Sequence, residues 1–184
     1  MALTKFDVVE RQVTTAIKLL FDRGDFISIN TLGSAAFRVL YDISQKKKHK
    51  FHVLFDDLIA PGKERIFWGY FNRVSEFSKH ADRNPDDLLK NQDETLNDHL
   101  LFFCCVGWLD SGRPLPHAMN LFWHWYIIGH PDIMKPDYPM RNQILAVANN
   151  SKSRSVRLEA GKQMLLRYGE PKPGTIRIPS KDKL

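Results

Sequence analysis

The sequence predicts an all-α fold, an irregular bundle of about six to eight helices, and a small set of observations predicts it. Apolar residues recur at the spacing of one helix face through several long segments. Gly24, Pro61-Gly62, Pro85, Gly112, Pro114 and Pro131 punctuate those segments. Alternating strand-like runs are few, and no Asn-Gly or Asp-Gly hairpin signal lies between any of them.

The first helix is the clearest: Phe6, Val9, Val13, Ala16, Ile17, Leu20 and Phe21 make one stripe, and Gly24 is expected to close it in the left-handed conformation. Ser28 is the expected N-cap of the second, whose stripe is Ile29, Leu32, Ala35, Ala36, Val39, Leu40 and Ile43. Small residues Gly33 to Ala36 allow a neighbouring helix to approach closely, and the short link predicts a helical hairpin. Gln45–Lys50 reads as a charged connector, and a short apolar piece, Phe51–Ile59, precedes the break at Ala60-Pro61-Gly62. From Lys63, the pattern Ile66, Phe67, Tyr70, Phe71, Val74 and Phe77 predicts a long helix ending near His80, followed by a polar loop over 81–87.

Another long helix is expected from about Asp93 to Leu109. Ser111-Gly112-Arg113-Pro114 stops it, and Pro114 suits the first position of the next, which carries Met119, Phe122, Trp123, Tyr126 and Ile127. The aromatic run Phe122-Trp123-His124-Trp125-Tyr126 surrounds its helix and predicts a central element, with Trp125 or Tyr126 as an alternative partner surface. Ile144–Ala148 and Val156–Tyr168 read as short final helices, the second amphipathic and basic. Residues 1–168 thus form a single helical domain, and 169–184, rich in Pro and Lys, is expected to be a flexible basic tail.

The composition supplies ample core, with 43% hydrophobic and 11% aromatic residues, which argues against disorder. Charge is distributed unevenly. The net charge is +6, yet residues 141–184 hold ten Lys or Arg against Glu159, Glu170 and Asp182. Such a segment attracts phosphate or an acidic protein surface. Cys104 and Cys105, adjacent in an apolar run, predict buried reduced thiols and a cytoplasmic setting. The N-terminus lacks the apolar core of a secretory signal, and the longest apolar runs, Leu100–Leu109 and Leu121–Gly129, are too short to span a bilayer.

The densest polar cluster is Lys79-His80-Ala81-Asp82-Arg83-Asn84-Pro85-Asp86. A helix C-terminus favours the charged form of His80, Asp82 can orient its ring, and Lys79 and Arg83 can hold an anion. The same residues also serve as a helix stop, with Asp82 as a turn residue. The binding candidates are accordingly Lys79, His80, Asp82 and Arg83, together with Arg154, Arg157 and Arg167 of the basic segment.

The run Phe77 to Asp86, with Thr15 to Phe21 and Ser28 to Ala36, resembles a family of uncharacterised small bacterial proteins carrying Asn-Phe-Phe-Lys-His-Ala-Asp-Arg-Asp-Pro. This chain departs from that run at Glu76, Ser78 and Asn84, and the resemblance implies no activity. A looser similarity is to HEPN-type ribonucleases, helical domains in which an Arg is followed, after four to six residues, by a His, usually with the site across a dimer interface. Arg73 and His80 match the outer limit of that spacing, and two helical turns place both on one face. The similarity implies metal-independent cleavage, with His80 as general acid or base, Arg73 stabilising the phosphorane, Asp82 beside them, and a homodimer. Val74 stands where a polar residue usually follows the Arg.

Asp98, His99, His117, His124 and His130 are scattered, without HExxH or a Glu-x-x-His pair, so no metal and no cofactor is expected. Gly-rich phosphate loops and nucleophile elbows are lacking. The expectation is a non-enzymatic cytoplasmic binding or interaction protein whose basic C-terminus meets an acidic partner, protein or nucleic acid, with no role at a membrane. The alternative is the HEPN-like ribonuclease using Arg73 and His80.

Overall fold

The computed structural model describes residues 2–57, 59, 61–80, 82–83, 85–90, 93–134, 136–137, 141–150 and 153–168. Among these it is all-helical, with α1 (Lys5–Phe21), α2 (Phe26–Lys47), α3 (Phe51–Asp57), α4 (Glu64–Lys79), α5 (Thr95–Asp110), α6 (His117–Gly129), a single 3-10 turn (Pro131–Ile133), α7 (Arg141–Asn150) and α8 (Arg154–Tyr168). The expected tail at 169–184 lies outside the described residues. No described helix is long and apolar enough to cross a membrane.

Local chemistry sets the boundaries. Thr4 caps α1 in a capping box, its hydroxyl accepting from the Asp7 amide while the Asp7 carboxylate accepts from the Thr4 amide at 2.7 Å. The bonds to Thr4 hold the Asp7 carboxyl below the usual range. At the other end Arg23, not Gly24, takes the left-handed conformation (φ 54°). Its amide bonds the Leu20 carbonyl and the Gly24 amide bonds the Leu19 carbonyl at 2.8 Å, a Schellman closure displaced by one residue from the expected one. The Arg23 guanidinium donates to the Ser155 hydroxyl on α8 at 2.7 Å.

Asp25 rather than Ser28 caps α2: its carboxylate accepts from the Ser28 amide at 2.7 Å, a stronger acceptor than the hydroxyl and one turn earlier. The expected connector Gln45–Lys50 is helical to Lys47, and left-handed Lys48 ends it, with the His49 amide on the Ser44 carbonyl at 2.9 Å. Helix α6 starts later than its proline suggests. It begins at His117, not Pro114, because the Pro114 carbonyl accepts the Trp108 indole N–H at 2.9 Å and the link between α5 and α6 is spent on that bond.

Helices α1 and α2 fold back on each other, α5 packs along α2, and α6 fills the space beside α1 and α5. Gly33 is required where α2 meets α5, since a Cβ there would stand 2.9 Å from a Leu100 methyl. Buried Val13, Ile17, Leu20, Leu100, Leu101, Met119 and Phe122 form the centre. Trp125 and Tyr126 are buried as well, so the aromatic run of α6 serves the core; only its His124 faces water. Cys104 and Cys105 are free, buried thiols, and burial pushes both above their ordinary pKa. Helix α4 docks on α2 through an aromatic cluster in which Phe37 meets Phe71 at 5.0 Å and Tyr41 meets Trp68 at 5.7 Å.

Candidate functional site

The docking of α4 leaves its outer face free, and the residues singled out by sequence meet there. Arg73 and His80, two turns apart, line one cleft of about 380 Å³ together with Glu76, Phe77, Arg83, Asp87 and Leu88. His80 is at once the C-cap of α4, its amide bonding the Glu76 carbonyl, and a wall of this cleft. The helix-stop and cleft readings of His80 therefore describe the same residue.

Glu76, which in the sequence stands out only as a departure from the resembled run, is the hub of the cleft. Its carboxylate lies 3.2 Å from His80 Nε2 and 3.9 Å from an Arg83 nitrogen. Asp82 approaches the other ring nitrogen of His80 only to 3.8 Å and does not line the cleft. Lys79 is exposed and also lies off it. The Arg73 guanidinium donates to the Lys90 carbonyl, fixing the 87–90 segment against the helix and leaving other N–H groups for a ligand. These pairs are exposed, and exposed ion pairs contribute about 0–1 kcal/mol each, so a bound anion displaces Glu76 at small cost.

The basic candidates of α8 have a different fate. Arg154 embraces the buried Asp98 through two bonds, at 2.7 and 2.9 Å, and reaches Glu94 at 3.2 Å. The Asp98 bonds raise its pKa further. Lys162 pairs with Asp22 at 3.0 Å. Arg157 is packed over the Trp125 ring, 5.9 Å from its centroid, and Arg167 is exposed near the end of α8. Helix α8 is thus fastened to the body by its charges, and Arg154 is not available to meet a partner.

Asp98 belongs to a buried polar seam with no sequence signal beyond its misplaced residue types. The Ser34 hydroxyl donates to Asn30 at 3.1 Å, the Asn30 amide to Asn97 at 3.0 Å, and the Asn97 amide to the Phe26 carbonyl at 3.0 Å. Two residues after Asn97, the Tyr126 hydroxyl lies 2.7 Å from His99 Nδ1, and the His130 ring stacks on Tyr126 at 4.2 Å. Burial, then Asp98, pushes the Tyr126 phenol up to about 12. Burial, then the neighbouring His130, lowers His99 below its ordinary value. A histidine with a lowered folded pKa binds fewer protons than in the unfolded chain, so stability falls as pH drops below about 6.5 and levels off below the folded pKa. Urea unfolding should therefore show lower stability at pH 5 than at pH 7.5, and His99→Asn should shrink that difference. Of the scattered histidines, His99 and His130 come together, while among the described residues no group of three His, Cys, Asp or Glu is placed to hold a metal ion.

No family model, curated protein or solved structure matches the chain.

Proposed function

We propose that the chain is a non-enzymatic cytoplasmic binding protein that receives an acidic partner, protein or nucleic acid, in the α4 cleft. The observation that carries this reading is the convergence of Arg73, His80 and Arg83 on one cleft that also holds two carboxylates of the chain itself, Glu76 and Asp87. A carboxylate or phosphate of a partner would take the place of Glu76 beside His80, with Arg83 and Arg73 close enough to turn onto it. The basic residues of the tail, Lys172, Arg177, Lys181 and Lys183, add long-range attraction. Two free buried thiols support a reducing compartment.

Fluorescence anisotropy with a labelled single-stranded RNA and a labelled oligoglutamate peptide tests it. Arg73→Gln and Arg83→Gln should each weaken binding about tenfold, and on RNA each should lower the salt slope by about 1. Removing 169–184 should weaken binding further and flatten its salt dependence. Binding that ignores all three changes contradicts the proposal.

A second reading is favoured by the shared face of Arg73 and His80: cleavage of RNA, with His80 moving the proton of a ribose hydroxyl and Arg73 neutralising the phosphorane. Glu76, 3.2 Å from His80 Nε2, is placed to orient the ring. Cleavage by the wild type that His80→Ala abolishes would favour this reading; no cleavage by either removes it.

A further inference from the structure

A separate cavity, independent of the α4 cleft, lies where α6, α7 and α8 meet. Its volume is about 370 Å³, within the range of small-molecule sites. Leu121, Ile128, Val147 and Met164 make its walls apolar, and among the described residues no Asp or Glu lines it.

Three nitrogen atoms of its lining side chains are closed to bulk water yet hydrogen-bonded to nothing among the described residues: Trp125 Nε1, His117 Nε2 and Arg157 Nε. Trp125 is only 7% exposed, so its orphaned indole N–H is a buried donor. Burying a donor without an acceptor is unfavourable, and buried polar groups in folded proteins are nearly always paired. Arg157 is the more telling case. Its guanidinium is partly buried over the Trp125 ring, in contact with no carboxylate among the described residues. Room for it exists because residue 129 is glycine; a Cβ there would stand 3.1 Å from Arg157 Nε. A buried, unpaired Nε–H of a partly buried cation beside an apolar cavity favours a counter-anion there, and the other arginine at the start of this helix, Arg154, has two carboxylates.

We propose that this cavity binds a small organic acid with an apolar body, its carboxylate paired with Arg157 and its hydrocarbon part against Leu121, Ile128 and Met164. The donors decide the polarity of the ligand. Arg Nε–H and Trp Nε1–H only donate, so the ligand must bring acceptors, and the guanidinium makes an anion the preferred one. A neutral amphiphile of the same shape fills the walls without satisfying Arg157.

Isothermal titration of the full chain with phenylbutyrate and with phenylbutanamide tests this. The acid should bind about tenfold more tightly than the amide, the difference made by one charge-assisted contact. Arg157→Met, which keeps the stem over Trp125, should erase the preference, and Arg157→Lys should restore part of it. The Trp125 indole N–H proton resonance should move when the acid is added to the wild type. Equal affinity for acid and amide, no binding of either, or a preference that survives Arg157→Met overturns the proposal. Should the Arg157→Met variant not fold, the acid-to-amide ratio and the indole resonance of the wild type decide the matter.

Discussion

Replacing Asp98 with alanine is expected to cost about 3–5 kcal/mol of folding stability, the scale for breaking a buried ion pair by removing one partner. Asp98 is 1% exposed and takes both Nε and Nη2 of Arg154, so its loss strips a partly buried guanidinium of two bonds and leaves it Glu94. Denaturant unfolding followed by circular dichroism measures the loss. The double replacement Asp98→Leu with Arg154→Met should recover most of it, because removing both charges leaves neither unpaired. A small effect of Asp98→Ala alone would mean that α8 is not fastened to the body by this pair.

Phe21→Ala should cost about as much, roughly 3–5 kcal/mol for a buried phenylalanine. The ring is 1% exposed, meets Trp125 at 5.5 Å, and is the surface on which α8 lands. At that landing Gly161 is obligatory: a Cβ would stand 2.5 Å from a Phe21 ring carbon. Gly161→Ala alone should therefore destabilise the protein despite the better helix propensity of alanine, by about 1–3 kcal/mol from overpacking. In the Phe21→Ala background the same change should be neutral or stabilising, since the obstructing ring is gone. Additive costs would contradict the close approach of α1 and α8.

How much of this was legible in the residues depends on the range of the interaction. The helices were legible because their cause is local: the stripe Val9, Val13, Ile17 and Leu20 repeats every turn, and Pro61-Gly62 breaks a chain wherever it folds. The starts of two helices fall one turn from their expected places, at Asp25 and His117, and one closure falls one residue away, at Arg23, where the deciding bonds join groups that compete within a few residues of each other. Arg73 and His80 sharing a face followed from helix geometry alone. The partners of the α8 cations did not. Arg154 reads as surface charge until Asp98, 56 residues earlier, is brought under it, and nothing local marks that pairing. The buried seam of Asn30 and Asn97 was hidden for the same reason, since each polar residue is satisfied only by a different helix. Charge partition along a chain describes attraction at a distance; the fold decides which of those charges remain unspent.

The claim on which the account turns is that an acidic ligand is held at the C-terminal half of α4. Backbone amide resonances of the full chain recorded during titration with single-stranded RNA, and again with oligoglutamate, test it most directly. Shifts concentrated on residues 69–90 for at least one ligand are the predicted result. Shifts confined to α8, or none for either ligand at saturating concentration, would contradict it.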